Sequence, residues 1–109
     1  MLVKTYAAAL QSIQAQTVTI EVNCTRGSYF QLVGLPDTAI KESQDRIISA
    51  IESSGYKFPG KRIVINMSPA DLRKEGAAYD LPLAIGLLAA DGQIPADSLE
   101  HYMIMGELS

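Results

Sequence analysis

Apolar and polar residues alternate in two stretches of the chain, residues 17–24 and 62–67, and this period of two residues is typical of strands with one buried face. The apolar positions are Val18, Ile20, Val22 and Cys24 in the first stretch and Ile63, Ile65 and Met67 in the second. The apolar run of residues 2–10 predicts a strand that forms a hairpin with the first stretch. Residues 30–33 predict a third strand that continues a meander.

Two other stretches have the pattern of helices. The apolar side of the first is formed by Ile40, Ile47 and Ile51. This amphipathic helix has Asp37 in its first turn, where a carboxylate favours the positive end of the helix dipole, and it ends near Gly55. Residues 81–90 are apolar on nearly every side, which predicts a second helix buried within the domain.

The order of elements is three strands, a helix, a strand, a helix and a last strand at residues 102–109. This order predicts an α+β fold of two layers, with two helices on one face of a mixed sheet. A chain of 109 residues is expected to form a single domain, residues 1–109. No turn or closing element follows the last strand, so we expect the domain to be truncated at its carboxy end.

The composition is that of a folded globular protein, with 48% hydrophobic and 19% charged residues. Nine lysines and arginines against twelve aspartates and glutamates give a formal net charge of −3. A domain that binds nucleic acid by itself usually has a basic face or a high isoelectric point, so this balance argues against tight DNA binding by the chain alone. Cys24 is the single cysteine and no signal segment opens the chain, so we expect a cytoplasmic protein.

One near match to a phosphate-binding motif is better explained as an ordinary loop. Residues 55–62 resemble the pattern G-x-x-x-x-G-K followed by Ser or Thr, but Arg62 replaces the hydroxyl residue that coordinates magnesium. In a phosphate-binding loop a strand leads into a helix, whereas here the helix comes first and the strand follows.

Nucleophilic catalysis needs a Ser or Cys beside a base and an orienting group, and the usual zinc sites need several Cys and His ligands, whereas this chain has one of each. His101 is the only histidine, and it is expected at the edge of the last strand. Cys24 lies on the apolar side of its strand, where a packed and unreactive thiol is the expected state.

The loop between the strand at residues 62–67 and the buried helix is the least generic part of the chain. Its candidate functional residues are Ser68, Asp71, Arg73, Lys74, Glu75, Tyr79 and Asp80. One interpretation is structural, with turn-forming residues, solvated charges at Lys74 and Glu75, and a helix that begins at Asp80. The other is functional, because loops held rigidly between packed elements often carry sites. The composition does not decide between them.

Five segments of the chain resemble the amino-terminal domain of the ComM/YifB family, the magnesium-chelatase-like AAA+ proteins. They are residues 30–43, 62–72, 74–76, 79–86 and 106–108. The resemblance implies a domain similar to the Lon protease domain, the ribosomal small-subunit protein domain-2-like fold, and to the carboxy-terminal domain of RadA. It also implies that the domain precedes an ATPase module, which residues 1–109 do not contain.

For function, the resemblance implies a hexameric AAA+ ATPase that processes DNA, with branch migration during natural transformation as the activity. The partners would be the ATPase module, the neighbouring subunits of the ring and DNA, with no membrane. ATP and magnesium would bind in the ATPase module, so no cofactor is expected in this chain.

In the Lon-type proteases the nucleophile lies in a Lys-Asp-Gly-Pro-Ser-Ala-Gly segment. Aligning the start of that segment with residues 74–76 places Ala77 at the proline and Ala78 at the catalytic serine. Alanine has no hydroxyl group, and the paired catalytic lysine would lie beyond Ser109, so the resemblance implies no peptidase activity. Residues 79–81 are then expected to be a structural or interface-building replacement.

Three hypotheses follow. In the first, the chain is a non-catalytic accessory domain that helps to assemble an AAA+ ring and guides DNA through it, with a functional face formed by the loop. In the second, it is a Lon-like hydrolase with Ser68 as nucleophile and Lys74 as base. In the third, it is a purely structural module for oligomerisation that does not touch DNA.

Overall fold

A computed structural model describes residues 1–11 and 13–109 of the chain. The strands are β1 (Leu2–Gln11), β2 (Gln14–Thr25), β3 (Tyr29–Val33) and β4 (Arg62–Ser68). The α-helices are α1 (Thr38–Lys41), α2 (Ser43–Ser53) and α3 (Asp80–Ala90), and 3₁₀ turns lie at Ala77–Tyr79 and Leu99–His101. The predicted α+β class and the mixed sheet are confirmed.

The sheet has the strand order β1-β2-β4-β3, in which the pairs β1–β2 and β2–β4 are antiparallel and β3 runs parallel to β4. The predicted hairpin of β1 and β2 is confirmed, but the prediction that β3 continues a meander is wrong. The helices α1 and α2 lie between β3 and β4 in the chain and form the crossover connection that parallel strands require. The loop from β2 to β3 crosses over Arg62, the first residue of β4. The crossing is close, because a Cβ atom on Gly27 of this loop would lie 3.1 Å from the Cβ atom of Arg62.

Alternate residues of the strands face the helices and form the core. The predicted apolar positions of β2 and β4 are all buried, and so are nine of the eleven residues of α3. The helix α3 packs closely on β1 and β2. Gly86 permits this approach, because a Cβ atom at its position would lie 2.9 Å from Val22 Cγ2. Within residues 1–11 and 13–109, no helix has both the length and the hydrophobicity that a membrane crossing needs.

The predicted amphipathic helix is divided into α1 and α2 at Glu42. Its apolar face is as expected, with Ile40, Ile47 and Ile51 buried. Asp37 caps α1, because its Oδ1 accepts a 2.9 Å hydrogen bond from the backbone N–H of Ile40. No proline or glycine marks the break at Glu42, so the residue pattern carries no signal for it.

The prediction of a last strand at residues 102–109 is wrong. Met103 forms an isolated parallel bridge with Tyr6 of β1. Two residues after Tyr6, the backbone N–H of Ala8 donates to the sulfur of Met105 at 3.3 Å and not to a backbone carbonyl of the last residues. The ladder therefore does not continue beyond the bridge.

Candidate functional loop

Lys74 lies in the loop between β4 and α3, and its side chain is completely buried. Its ammonium nitrogen donates a 2.7 Å hydrogen bond to the carbonyl of Gly34 and another to the carbonyl of Pro69. The prediction that Lys74 is solvated is therefore wrong, because these two carbonyls replace water around the charge. Burial lowers the pKa of the Lys74 ammonium, and the negative charge of Asp71 opposes this effect.

The backbone of Lys74 fastens the same loop to the segment that follows β3. Its N–H donates to the carbonyl of Leu35 at 3.0 Å, and its carbonyl accepts from the N–H of Asp37 at 3.0 Å. Asp37 Oδ2 accepts a further 2.9 Å hydrogen bond from the N–H of Gly76. Asp37 thus joins the cap of α1 to the loop, a role that its sequence pattern, which predicts a helix start, does not reveal.

Gly34, which follows β3, allows the chain to approach the backbone of β4 closely. Its φ is +111°, in the region that side chains avoid, and a Cβ atom there would lie 2.0 Å from the carbonyl oxygen of Met67 in β4. Glycine is therefore required at this position. Its carbonyl is left free to accept the hydrogen bond from Lys74.

Asp80 is completely buried at the first residue of α3 and forms a two-pronged ion pair with Arg46 of α2. Arg46 Nε lies 2.6 Å from Asp80 Oδ2, and Arg46 Nη2 lies 2.9 Å from Asp80 Oδ1. Nη2 also donates to the carbonyl of Ala39 at 2.7 Å, and Oδ2 accepts from the N–H of Leu108 at 3.2 Å. The hydrogen bond with Asp80 raises the pKa of the Arg46 guanidinium, while burial opposes the rise. This pair joins α1, α2, α3 and the last residues of the chain.

Tyr79 is only 2% exposed and lies beside a cleft of about 260 Å³ that Arg73, Glu75 and residues 8–10 of β1 also line. Burial raises the pKa of the Tyr79 hydroxyl, and the charges of Asp37 and Glu75 add to the rise. Arg73 Nε lies 3.3 Å from Glu75 Oε1 at the rim of the cleft. Both side chains of this pair are more than half exposed, so it contributes little to stability.

The seven candidate residues therefore divide into two groups. Lys74, Tyr79 and Asp80 are buried and hold the loop against the rest of the domain, whereas Ser68, Asp71, Arg73 and Glu75 are exposed. Sequence reasoning missed Arg46, because a charged residue on an amphipathic helix is expected to face solvent.

Three further expectations can be compared with the structure. The loop of residues 55–61 leads from α2 into β4, in the order opposite to that of a phosphate-binding loop. Cys24 is buried on the inner side of β2, and burial together with the charge of Asp91 raises the pKa of its thiol. Ala78 is half-buried, and its carbonyl accepts a 2.7 Å hydrogen bond from the N–H of Gly106.

Comparison with known proteins gives matches over most of the chain. Residues 20–109 match the family of the ChlI subunit of Mg-chelatase. YifB of Salmonella typhimurium (strain LT2) is 50% identical over 105 residues, and the competence protein ComM of Haemophilus influenzae is 48% identical over 105 residues. Each alignment covers 95% of this chain and 21% of the relative. The protein Rv2897c of Mycobacterium tuberculosis is 38% identical over 107 residues, which are 97% of this chain and 21% of that relative.

The chain thus spans about a fifth of the length of the curated relatives it matches. The family match covers well over half of the chain, and the identity to YifB and ComM extends over nearly all of it. The chain therefore belongs to the magnesium-chelatase-like ComM/YifB family.

Proposed function

We propose that residues 1–109 form a non-catalytic accessory domain of a magnesium-chelatase-like AAA+ ATPase, in which they support ring assembly and DNA processing. The similarity to a competence protein over nearly the whole chain supports this proposal. The remaining four fifths of the relatives' length leaves room for an ATPase module that binds ATP and magnesium. The full-length protein is then a cytoplasmic hexamer whose DNA substrate undergoes branch migration in competence or recombination.

The burial of the Lys74 amine is the observation that best supports a domain without catalytic activity. A general base needs an amine within hydrogen-bonding reach of the nucleophile it activates. The amine of Lys74 is buried and its hydrogens are directed at the carbonyls of Gly34 and Pro69, while Ser68 is exposed. This arrangement supports a structural role for Lys74 over the role of base in a Ser68-dependent hydrolase.

We infer a Lon-like fold for the same residues, with the catalytic position emptied. The two-layer α+β architecture and the loop that leads from β4 into a buried helix support this inference. Ala78, which aligns with the catalytic serine of the Lon-type proteases, has a methyl group and a carbonyl bonded to Gly106. The neighbouring Asp80 is taken up by its ion pair with Arg46, as expected for a structural replacement of the peptidase segment.

The proposal is tested on the full-length protein with and without residues 1–109. Light scattering in the presence of ATP reports the mass of the assembly, and titrations at several salt concentrations report DNA binding. We expect deletion to reduce both, whereas ATP hydrolysis without DNA, the control for a folded ATPase module, is retained. DNA binding that survives the deletion while the assembly breaks up would favour a purely structural module. Retention of both properties would contradict the proposal.

A further inference from the structure

Basic residues are concentrated at the end of the sheet opposite the candidate loop. Four of the nine basic residues, Arg26, Lys57, Lys61 and Arg62, lie in the β2–β3 loop, in the segment before β4 and at the start of β4. We call these four residues together with Tyr29 the basic corner. The chain as a whole has a net charge of −3, so its charge is distributed unevenly.

The strand register brings the two arginines of the basic corner together. Arg62 is paired with Thr25 of β2 on one side and with Tyr29 of β3 on the other. The β2–β3 loop crosses over Arg62 with Gly27 in contact with its side chain. Arg26 and Lys61 line one cleft of about 520 Å³ at this crossing, together with Gly27 and Gly60.

The loop before β4 is held in place by the residues that follow α3. Asp91, just after the last residue of α3, has its Oδ1 atom 2.6 Å from Lys61 Nζ. Gln93 donates from its side-chain nitrogen to Asp91 Oδ2 at 2.8 Å and to the carbonyl of Lys57 at 2.6 Å. Burial tends to raise the pKa of Asp91, but the hydrogen bonds from Lys61 and Gln93 outweigh it and lower the pKa. The loop is thus ordered before any partner binds.

Three cations of the basic corner remain free for a partner. Among residues 1–11 and 13–109, no carboxylate oxygen lies within 4.0 Å of a side-chain nitrogen of Arg26, Lys57 or Arg62. Exposed cations that are preorganised and unpaired are the groups that neutralise phosphates in nucleic-acid complexes.

An aromatic ring lies beside Arg62 on the open face of the sheet. Tyr29 is 49% exposed, and the guanidinium carbon of Arg62 lies 5.6 Å from the centre of its ring. Tyr29 Oη donates to Gln31 Oε1, which fixes the ring along β3. The neighbouring outward-facing positions of β2, β3 and β4 include Asn23, Gln31, Val64 and Asn66, and Glu21 lies beyond them, paired with Asn66. Exposed rings next to a basic groove are stacking platforms for the bases of single strands.

We propose that the basic corner binds the sugar-phosphate backbone of a single nucleic-acid strand, with Arg26, Lys57 and Arg62 on phosphates and Tyr29 stacked on a base. The inference rests on the proposed role in DNA processing and names the surface that this role uses. An acidic protein surface would be attracted by the same cations, and competition by an acidic peptide distinguishes it from a nucleic-acid strand. Because the chain is acidic overall, its own affinity is expected to be weak and to depend strongly on salt.

The test is a titration of the isotope-labelled chain with a short oligothymidylate at low salt, followed by nuclear magnetic resonance and by fluorescence anisotropy. We expect shifts confined to residues 25–31 and 57–62. The double variant Arg26→Gln/Arg62→Gln should bind about tenfold more weakly, and its salt slope should fall by about 1.4, the value for two lost contacts to a single strand. Tyr29→Leu should weaken binding several-fold without changing the slope.

The matched control is Lys4→Gln/Lys41→Gln, which removes the same charge from exposed positions outside the basic corner. It should change the affinity less than twofold. Equal losses in the two double variants, no binding of oligothymidylate, or equally strong competition by a polyglutamate peptide would each overturn the proposal.

A replacement variant and a separate measurement of assembly complete the test. If the arginine double variant does not fold, Lys57→Gln combined with Tyr29→Leu takes its place, because both side chains are exposed. Ring assembly by the full-length protein is measured separately. A failure of oligothymidylate binding therefore counts against the basic corner alone, whereas assembly and DNA binding that both survive deletion of residues 1–109 count against the proposed function.

Discussion

The ammonium group of Lys74 links two segments of the chain that are distant in sequence. Its hydrogen bonds reach the carbonyl of Gly34 on one side and that of Pro69 on the other. Removing a charge from water costs free energy, but hydrogen bonds from a charged donor contribute about 1.5–3 kcal/mol each and offset this cost. The Lys74 side chain therefore contributes to the order of the loop between β4 and α3, together with the hydrogen bond from Gly76 to Asp37.

Replacing Lys74 with methionine should lower the free energy of unfolding by about 1–3 kcal/mol. Methionine fills much of the same volume but leaves two buried carbonyls without a donor, which is costly. Urea unfolding of the variant measures the effect, and Lys41→Met at an exposed position should stay within about 0.5 kcal/mol of the wild type. A Lys74→Met protein as stable as the wild type would contradict this interpretation of the loop.

The lowered pKa of Lys74 also predicts a pH dependence. Between the pKa in the folded chain and the ordinary value of 10.5, the folded chain binds fewer protons than the unfolded chain. The penalty for burying the charge is complete below the folded pKa and is relieved as the pH rises through this window. The stability of the wild type relative to Lys74→Met should therefore increase with alkaline pH up to the ordinary value, as measured by unfolding at a series of pH values. A constant or falling difference would contradict the burial effect.

Among the elements, those with a strong internal period could be predicted from the sequence. The strands β2 and β4 and the helix α3 are recognisable because burial repeats every two residues or covers the whole segment. The position of β3 could not be predicted, because a strand's neighbour is set by the crossover of α1 and α2 and not by its own residues. The last residues bond to β1, to Ala78 and to Leu81 instead of forming a ladder, and a strand-like pattern does not reveal these contacts.

In the candidate loop, too, contacts with distant segments could not be predicted from the local sequence. Lys74 and Asp80 could be named from the loop, but their burial could not be foreseen, since each depends on partners supplied by distant segments. Arg46 meets Asp80 across 34 positions, and Asp37 meets Gly76 across 39. A local pattern carries no information about such pairs.

The ion pair of Arg46 and Asp80 should couple α2 to α3. Arg46→Met leaves the buried carboxylate unpaired and should cost about 3–5 kcal/mol. The double variant Arg46→Met/Asp80→Leu should be more stable than Arg46→Met alone, because the uncompensated charge is gone. Thermal unfolding of the wild type, Arg46→Met, Asp80→Leu and the double variant measures the coupling, and strictly additive losses would contradict it.

Gly34 should be the least replaceable glycine at the junction of β3 and β4. Gly34→Ala places a Cβ atom on the carbonyl of Met67 and requires a positive φ, so we expect the variant to lose most of the stability of the domain. Gly60→Ala is the matched control, since its Cβ atom would meet no atom within 4 Å. Circular dichroism of both variants is the measurement, and a well-folded Gly34→Ala protein would contradict the geometry.

The whole molecule has two ends with different character, separated by the length of β4, or about 20 Å. At one end the candidate loop is closed onto α1, α2 and α3 by Lys74, Asp37 and Asp80. At the other end the basic corner presents free cations and an exposed ring. A domain built in this way has a closed end and an end with exposed cations, and the proposed accessory role would use both.

The most direct test of the accessory role is hydrolysis by the full-length protein that contains these residues. A fluorogenic peptide and an acyl ester are offered as substrates to the wild type and to Ser68→Ala. Because the amine of Lys74 is bonded to two carbonyls and Ala78 has no hydroxyl group, we predict the same background rate for both proteins. Turnover by the wild type that disappears in Ser68→Ala would contradict the account.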